Sequence, residues 1–513
     1  MRASLRRAVP SAAVLALVLA GCVGPEPMER VQTPAHPSDA SAAATPPSAD
    51  LAEFYAQELD WSSCGELDCA RLTVPLDYDA PDAESIELAV TRRPSDDGDA
   101  IGNLVLNPGG PGTSATRFVG TVGDRWTGEL LSAYDVVGLD PRGVGRSAAV
   151  ECVSDAQLDQ VRAADHDMSS QEGVAAFRAD ARTIAEGCAE GTGELLGHVD
   201  TVSAARDMDV LRAVLGEESL DYVGFSYGTE LGARYAELFP ARVGRFVLDG
   251  GLDPTLTDEE RTRDQAMAFE RALRSYVEDC LAWTECPLTG DPEQALQQIG
   301  TVLELASANP LPTDDPDGRE LTASLAFSGI LMPLYTPRSW PALSGALTQA
   351  IHDGDGSGLL ALADSMAGRG PDGTYADNST EANWAVECLE HPADGDLAQW
   401  RQEAAQLAEA APLLGPSFAF GDTLCEPWPV AAEASNAPVR ADGAAPIVVV
   451  GTTGDPATPY EWSESLAEQL ASGVLVTYEG EGHTAYGRSN ACVTDALDAY
   501  LVDGVVPVDG LTC

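Results

Sequence analysis

The chain has 513 residues, of which 44% are hydrophobic, so it can bury a large core and predicts one domain with an insertion or two domains. Its net charge is −53, and all 29 basic residues are arginine. Such an excess of acid argues against nucleic-acid binding, which needs a basic surface, and suits a solvated surface outside the cell.

The N-terminal segment reads as a targeting signal. Three arginines precede an apolar run over residues 12–20, which ends in Leu-Ala-Gly followed by Cys22. This pattern resembles a bacterial lipobox, which implies a signal peptide over residues 1–21 and a lipid on the Cys22 thiol. The alternative is an ordinary signal peptide with an incidental cysteine. Residues 22–50, rich in Pro, Ala and Ser, predict a disordered tether.

Cysteine usage also indicates export. Without Cys22, ten cysteines remain, and an even number suits an oxidising compartment. No Cys-x-x-Cys motif or His/Cys cluster suggests a metal site. Spacing alone does not determine connectivity, but we expect five disulfides between neighbours in sequence: Cys64 with Cys69, Cys152 with Cys188, Cys280 with Cys286, Cys388 with Cys425, and Cys492 with Cys513.

The mature domain begins near residue 51. Residues 70–74 and 86–93 predict its first strands, and residues 102–107 predict a buried strand. That strand leads into Pro-Gly-Gly-Pro-Gly, a loop whose backbone can approach a ligand closely. We assign to Gly110 an N–H group that stabilises an oxyanion; the alternative is a plain turn.

A further apolar strand is predicted over residues 134–140. Asp140 and Arg142 stand at its end, where an ion-pair and turn network is a more natural role for them than catalysis. Residues 204–215 predict a helix with one apolar face. It leads into a short strand at residues 222–223.

The next motif is Gly-Phe-Ser-Tyr-Gly over residues 224–228, between this strand and a helical run. That context predicts a nucleophile elbow, which lifts the Ser226 hydroxyl clear of the sheet. The N–H of Tyr227 would then lie at a helix N-terminus and serve as the other oxyanion donor. The alternative is a serine in an ordinary loop.

Strands and helices alternate, which predicts an α/β protein with a mainly parallel, doubly wound sheet and an inserted helical lid. The first part of the core covers residues 51–252 and its C-terminal part residues 441–513. Strands are scarce over residues 253–440, which we assign to the lid. Its predicted helices are residues 258–283, 293–308, 339–351 and 397–411.

Two residues complete a catalytic set. Asp455 follows the apolar strand predicted at residues 446–451, and His483 follows the strand predicted at 473–478. The other histidines fall in the tether or in helical segments. The order Ser226, Asp455, His483 is that of the α/β-hydrolases, in which the histidine is the base and the aspartate orients it.

With these motifs in place, the chain resembles the secreted actinobacterial tripeptidyl aminopeptidases, relatives of proline iminopeptidase. The resemblance rests on residues 107–112, 140–147, 224–228, 454–459 and 482–484 and on the C-terminal region from Cys492. It implies an α/β-hydrolase fold and an exopeptidase that acts on free N-termini. Relatives hold the substrate ammonium with lid carboxylates, and the best matches here are Glu387, then Glu390.

We therefore expect an exported serine aminopeptidase that releases short peptides, tripeptides in the first instance. A carboxylesterase or a single-residue proline iminopeptidase with the same triad is the alternative, and a solute-binding lipoprotein or a catalytically dead scaffold is a further one. No cofactor and no nucleic acid is implied. A monomer is expected, lipid-anchored to the outer face of the cell membrane, with shedding left open.

Overall fold

The computed structural model describes residues 45–393, 395–431 and 436–513. The predicted signal peptide and the lipid site at Cys22 lie outside these residues, as do residues 22–44 of the predicted tether. Within the described ranges, no helix is both long and apolar enough to cross a membrane.

A single ten-stranded sheet organises the fold. Its strand order is β1-β2-β3-β5-β4-β6-β7-β8-β9-β10. The pairs from β5 across to β10 are parallel, whereas β1, β2 and β3 pair antiparallel. The mainly parallel sheet expected from the sequence is confirmed. The strands are β1 (Ser62–Cys64), β2 (Leu67–Pro75), β3 (Ser85–Arg93), β4 (Gly102–Asn107), β5 (Tyr134–Leu139), β6 (Leu220–Phe225), β7 (Val243–Asp249), β8 (Ile447–Gly454), β9 (Gly473–Glu481) and β10 (Leu511–Thr512).

The central strands are apolar because both faces of the sheet are covered. Every residue of β6 is buried, and side chains alternate between two cores. Leu104 and Leu106 of β4 pack into one core, and Val105 packs into the other. The covering α-helices are Ala52–Tyr55, Ala115–Phe118, Gly128–Ala133, Asp155–Ala163, Gln171–Thr192, Thr201–Val214, Tyr227–Leu238, Tyr460–Gln469 and Ala491–Asp503.

Among the described residues between β7 and β8, the regular elements are all helices, apart from two isolated bridges. It has a core of its own, which includes Leu273, Ile330 and Leu343. We call this part the inserted helices. They are Asp258–Leu281, Pro292–Ala308, Ala323–Leu334, Trp340–Thr348, Ser357–Ala367, Ser379–Glu390, Leu397–Ala410 and Gly415–Phe418.

Five disulfides join the ten cysteines in the pairs expected from their order. Two of them, Cys280–Cys286 and Cys388–Cys425, lie in the inserted helices and the segment that follows them. The second ties the helix Ser379–Glu390 to a 3-10 turn 37 residues later in sequence. This crosslink therefore anchors a helix that borders the candidate site.

Candidate active site

Ser226 stands at a sharp turn between β6 and the helix Tyr227–Leu238. Its φ of 55° and ψ of −125° are strained for a residue with a side chain. Close packing leaves no room beside it: a Cβ on Gly224 would lie 2.2 Å from the Gly228 carbonyl oxygen. The sequence thus folds into the strand–turn–helix geometry of a nucleophile elbow, with the Ser226 side chain half-buried.

The imidazole of His483 is bound to the carboxylate of Asp455. Its Nδ1 lies 2.9 Å and 3.0 Å from the two Asp455 oxygens, and the Asp455 side chain is fully buried. Burial alone would raise the pKa of Asp455. The charge of His483, its hydrogen bond and those from the Thr458 and Thr484 N–H groups outweigh burial and lower the pKa. Asp455 is therefore ionised, and Nδ1 carries the proton that it donates.

Ser226 and His483 both lie close to the C-terminal end of β7. The Ser226 N–H donates to the Asp249 carbonyl oxygen at 2.9 Å. At the next residue, a Cβ on Gly250 would lie 3.3 Å from Cε1 of the His483 ring. The elbow and the histidine segment therefore pack against two consecutive residues of one strand end.

The glycine-rich loop after β4 packs directly on the elbow. A Cβ on Gly109 would lie 2.9 Å from the Ser226 Cβ and 3.2 Å from the Tyr227 nitrogen. The Gly109 N–H donates to the Asn107 side chain at 2.8 Å, so it is already occupied. Gly110 follows it at the rim of a cavity of about 390 Å³.

Residues of the helix Ser379–Glu390 line the same cavity as Gly110. Glu387 lines it, but its carboxylate accepts a hydrogen bond from Arg261 at 2.9 Å. His391 also lines it, donating from Nδ1 to Asp258 at 2.7 Å and accepting from Arg261 at 2.8 Å. Glu387 is therefore part of an ionic cluster rather than a lone anion, and sequence reasoning missed Arg261 and His391.

Glu390, the second predicted amine ligand, lies next to this ionic cluster. Its carboxylate accepts the Thr201 N–H at 2.7 Å. It lines an adjoining cavity together with Glu230, from the first turn of the elbow helix. Burial, and then the negative charge of Glu230, raise the pKa of Glu390. Glu230 could have been suspected from its place four residues after Ser226.

Asp140 and Arg142 do not pair with each other. Asp140 accepts hydrogen bonds from Ser114 and Thr116, and Arg142 forms a fully buried bidentate ion pair with Asp207. Both side chains are occupied in holding loops at the strand end, in line with the structural role expected of them.

Comparison with known proteins identifies relatives over most of the chain. The family described as TAP-like protein matches residues 411–513. Serine protease Hip1 of Mycobacterium tuberculosis is 37% identical, with 89% of this chain and 91% of the relative aligned. A carboxylesterase B of the same species is 35% identical over 90% of this chain and 91% of the relative.

A tripeptidyl aminopeptidase of Streptomyces lividans is 32% identical over 88% of this chain and 85% of the relative. These relatives have enzymatic names in common, and their alignments include both the parallel sheet and the inserted helices. The chain therefore belongs to the TAP-like family of α/β-hydrolases that includes serine protease Hip1 and the Streptomyces tripeptidyl aminopeptidases, and it is a serine hydrolase.

Proposed function

We propose that the protein is an exported exopeptidase that releases tripeptides from free N-termini through an acyl-enzyme on Ser226. One observation carries this proposal: the strained elbow serine and the His483–Asp455 pair lie at the same edge of the sheet. The relatives named serine protease and tripeptidyl aminopeptidase support a peptide substrate.

In the proposed mechanism, His483 removes the Ser226 proton through Nε2 as the hydroxyl oxygen attacks the scissile carbonyl. Asp455 keeps the proton on Nδ1 and stabilises the imidazolium that forms. His483 then gives its proton to the leaving amine, and an acyl-enzyme remains. A water molecule, activated by His483, hydrolyses the ester and releases the N-terminal peptide.

The N–H groups of Tyr227 and Gly110 are the proposed oxyanion donors. The first opens the elbow helix, where the partial positive charge of the helix dipole collects. The second follows the occupied N–H of Gly109 in the loop against Ser226. Each such donor contributes about 3 kcal/mol to lowering the barrier.

A free N-terminus needs an anion that is not already neutralised. Arg261 binds Glu387, whereas Glu390 faces a second carboxylate, that of Glu230. A substrate ammonium between Glu390 and Glu230 would relieve the repulsion between the two acids. We therefore place the substrate ammonium at Glu390. Glu387 contributes indirectly, because its ion pair positions Arg261.

Export with a lipid anchor on Cys22 is part of the same proposal. The five disulfides support an oxidising compartment. The membrane contact would be through the lipid alone, and the protein would act as a monomer on peptide substrates.

The deciding experiment compares Ala-Ala-Pro-coumarin amide with its N-acetylated form, with Ser226→Ala as the control. Cleavage of the free-amine form alone, abolished in the variant, is expected. Equal cleavage of both forms would reject an amine anchor, and activity that survives Ser226→Ala would reject the nucleophile.

A carboxylesterase is the second candidate, favoured by the relative named carboxylesterase B. Short acyl esters without an amine would then be better substrates than any peptide amide. Pro-coumarin amide in the same panel identifies a single-residue proline iminopeptidase.

A further inference from the structure

We propose that Asp249 is a positioning residue that holds the segment carrying His483 in register with the nucleophile elbow. The inference rests on the proposed function, because it assumes that Ser226 and His483 react together. Asp249 is the last residue of β7 and takes no part in the mechanism above.

Asp249 contacts both halves of the site through different atoms. Its carbonyl oxygen accepts the Ser226 N–H at 2.9 Å. Both of its carboxylate oxygens accept the Ala485 N–H at 2.9 Å, and Oδ2 accepts the Tyr486 N–H at 2.7 Å. Ala485 and Tyr486 directly follow His483 and Thr484. One residue thus bridges the serine turn and the histidine segment.

The other hydrogen bonds to His483 do not fix its position relative to the nucleophile elbow. Asp455 fixes the imidazole itself, and the Tyr335 carbonyl oxygen accepts the His483 N–H at 2.9 Å. Neither has a hydrogen bond to the elbow among those that the structure describes. Removing the Asp249 carboxylate leaves the triad side chains present but frees the segment after His483 to move relative to Ser226.

The surroundings of Asp249 make its charge state matter. The side chain is fully buried, and the residues paired with it on the flanking strands are the apolar Phe225 and Val450. Burial raises the pKa of Asp249 to about 6, although the Tyr486 and Ala485 N–H groups, Arg488 and His483 oppose the rise. Arg488 and His483 are the titratable groups that face it, both from the segment after β9.

Protonation removes the charge that strengthens the hydrogen bonds from the Ala485 and Tyr486 N–H groups, and it turns one of the two carboxylate oxygens into a donor. The histidine segment should loosen when the carboxyl group takes up its proton. Activity should therefore fall as the pH drops through about 6, in addition to the loss caused by protonation of the catalytic base.

The test compares Asp249→Asn with Asp221→Asn. Asp221 is a matched control: it is a buried acid that accepts a main-chain N–H, from Arg245 at 2.7 Å, near the opposite end of the elbow strand. A fluorophosphonate probe, whose reaction with Ser226 needs no peptide recognition, is used beside the free-amine coumarin substrate. Ser226→Ala sets the background for both.

We expect Asp249→Asn to lower kcat and the labelling rate on the order of 10²-fold with KM retained, the cost of a displacement of about 1 Å. Asp221→Asn should stay near the wild type. In the wild type, the logarithm of the labelling rate should fall at acid pH with a slope greater than 1 per pH unit. In Asp249→Asn, that slope should be 1.

An Asp249→Asn enzyme as fast as Asp221→Asn would overturn the proposal. If thermal melting shows that Asp249→Asn does not fold, the pH dependence of labelling in the wild type decides. A slope of 1 per pH unit at acid pH would then overturn the proposal. Labelling of Ser226 without peptide cleavage would instead reject the peptidase function and leave the Asp249 result readable.

Discussion

The ring of Tyr335 stands edge-on to the imidazole of His483, with centroids 5.4 Å apart and planes at 87°. Tyr335 caps the C-terminus of the inserted helix Ala323–Leu334, and its carbonyl oxygen also accepts the His483 N–H. The inserted helices therefore help to orient the imidazole of His483, the proposed catalytic base, and two of them also line the cavity beside Gly110.

Replacing this ring should slow the reaction modestly. Tyr335→Leu removes an edge-to-face contact of about 1 kcal/mol, or roughly fivefold in kcat, because the imidazole gains freedom to tilt. Tyr335→Phe keeps the ring and is expected to match the wild type. Steady-state kinetics of the two variants decide, and equal losses would point to the hydroxyl instead.

Asp455→Asn should be far more damaging. The amide can donate to Nδ1 and so favours the wrong tautomer, which leaves the proton on the nitrogen that must act as base. We expect kcat to fall on the order of 10⁴-fold. A pre-steady-state burst of coumarin release from an ester substrate reports acylation directly, and an unchanged burst rate would show that Asp455 is not the orienting acid.

Replacing Glu390 and replacing Glu387 should have different effects on substrate preference. Glu390→Gln is expected to raise KM for free-amine peptides and to leave hydrolysis of an N-acetylated ester unchanged, because it removes a charge that meets the ammonium. Glu387→Gln should perturb Arg261 and change both substrates together. Identical substrate profiles for the two variants would contradict this division of roles.

The Arg142–Asp207 ion pair should dominate local stability. Both side chains are fully buried, so Asp207→Ala leaves an unpaired charge in the core and should destabilise by about 3–5 kcal/mol. Asp68→Ala breaks the partly exposed pair with Arg92 and should cost less than about 1 kcal/mol. Thermal melting of both variants gives the comparison, and similar shifts would be the contrary result.

Asp249 should also affect stability with pH. Burial raises its pKa from 3.8 to about 6, so folding favours the protonated form. The stability that this group contributes is complete below about 4 and is lost as the pH rises through about 6, a difference of about 3 kcal/mol. Asp249→Asn lacks this dependence, so between pH 4 and pH 8 its melting temperature should rise relative to that of the wild type.

The parallel strands could be predicted because each depends on a short-range pattern. The strand predicted at residues 446–451 overlaps β8, because the buried run Ile447–Val450 is apolar on both faces of the sheet. Ser226, Asp455 and His483 each follow a strand of this sheet closely, so the parallel topology brings them to the same edge of the sheet.

Other features depend on contacts that sequence does not display. The helix Gln171–Thr192 is not among the elements predicted from the sequence; it contains Gly187 and Gly191, and glycine disfavours a helix interior. A Cβ on Gly187 would lie 2.1 Å from the Cys152 carbonyl oxygen, so the glycine there permits close packing of two segments. Arg261 reaches Glu387 across 126 residues, and no local pattern indicates such a pair.

The disulfide Cys388–Cys425 has a consequence for where the enzyme can work. Both cysteines line the cavity beside Gly110 and Glu387, so this disulfide joins two segments of the cavity wall. In the reducing cytosol the same chain would lack that bond. With the proposed export and peptidase activity, we expect the enzyme to remain poorly assembled in the cytosol and to mature only after secretion, which would spare the peptides of the cell that produces it.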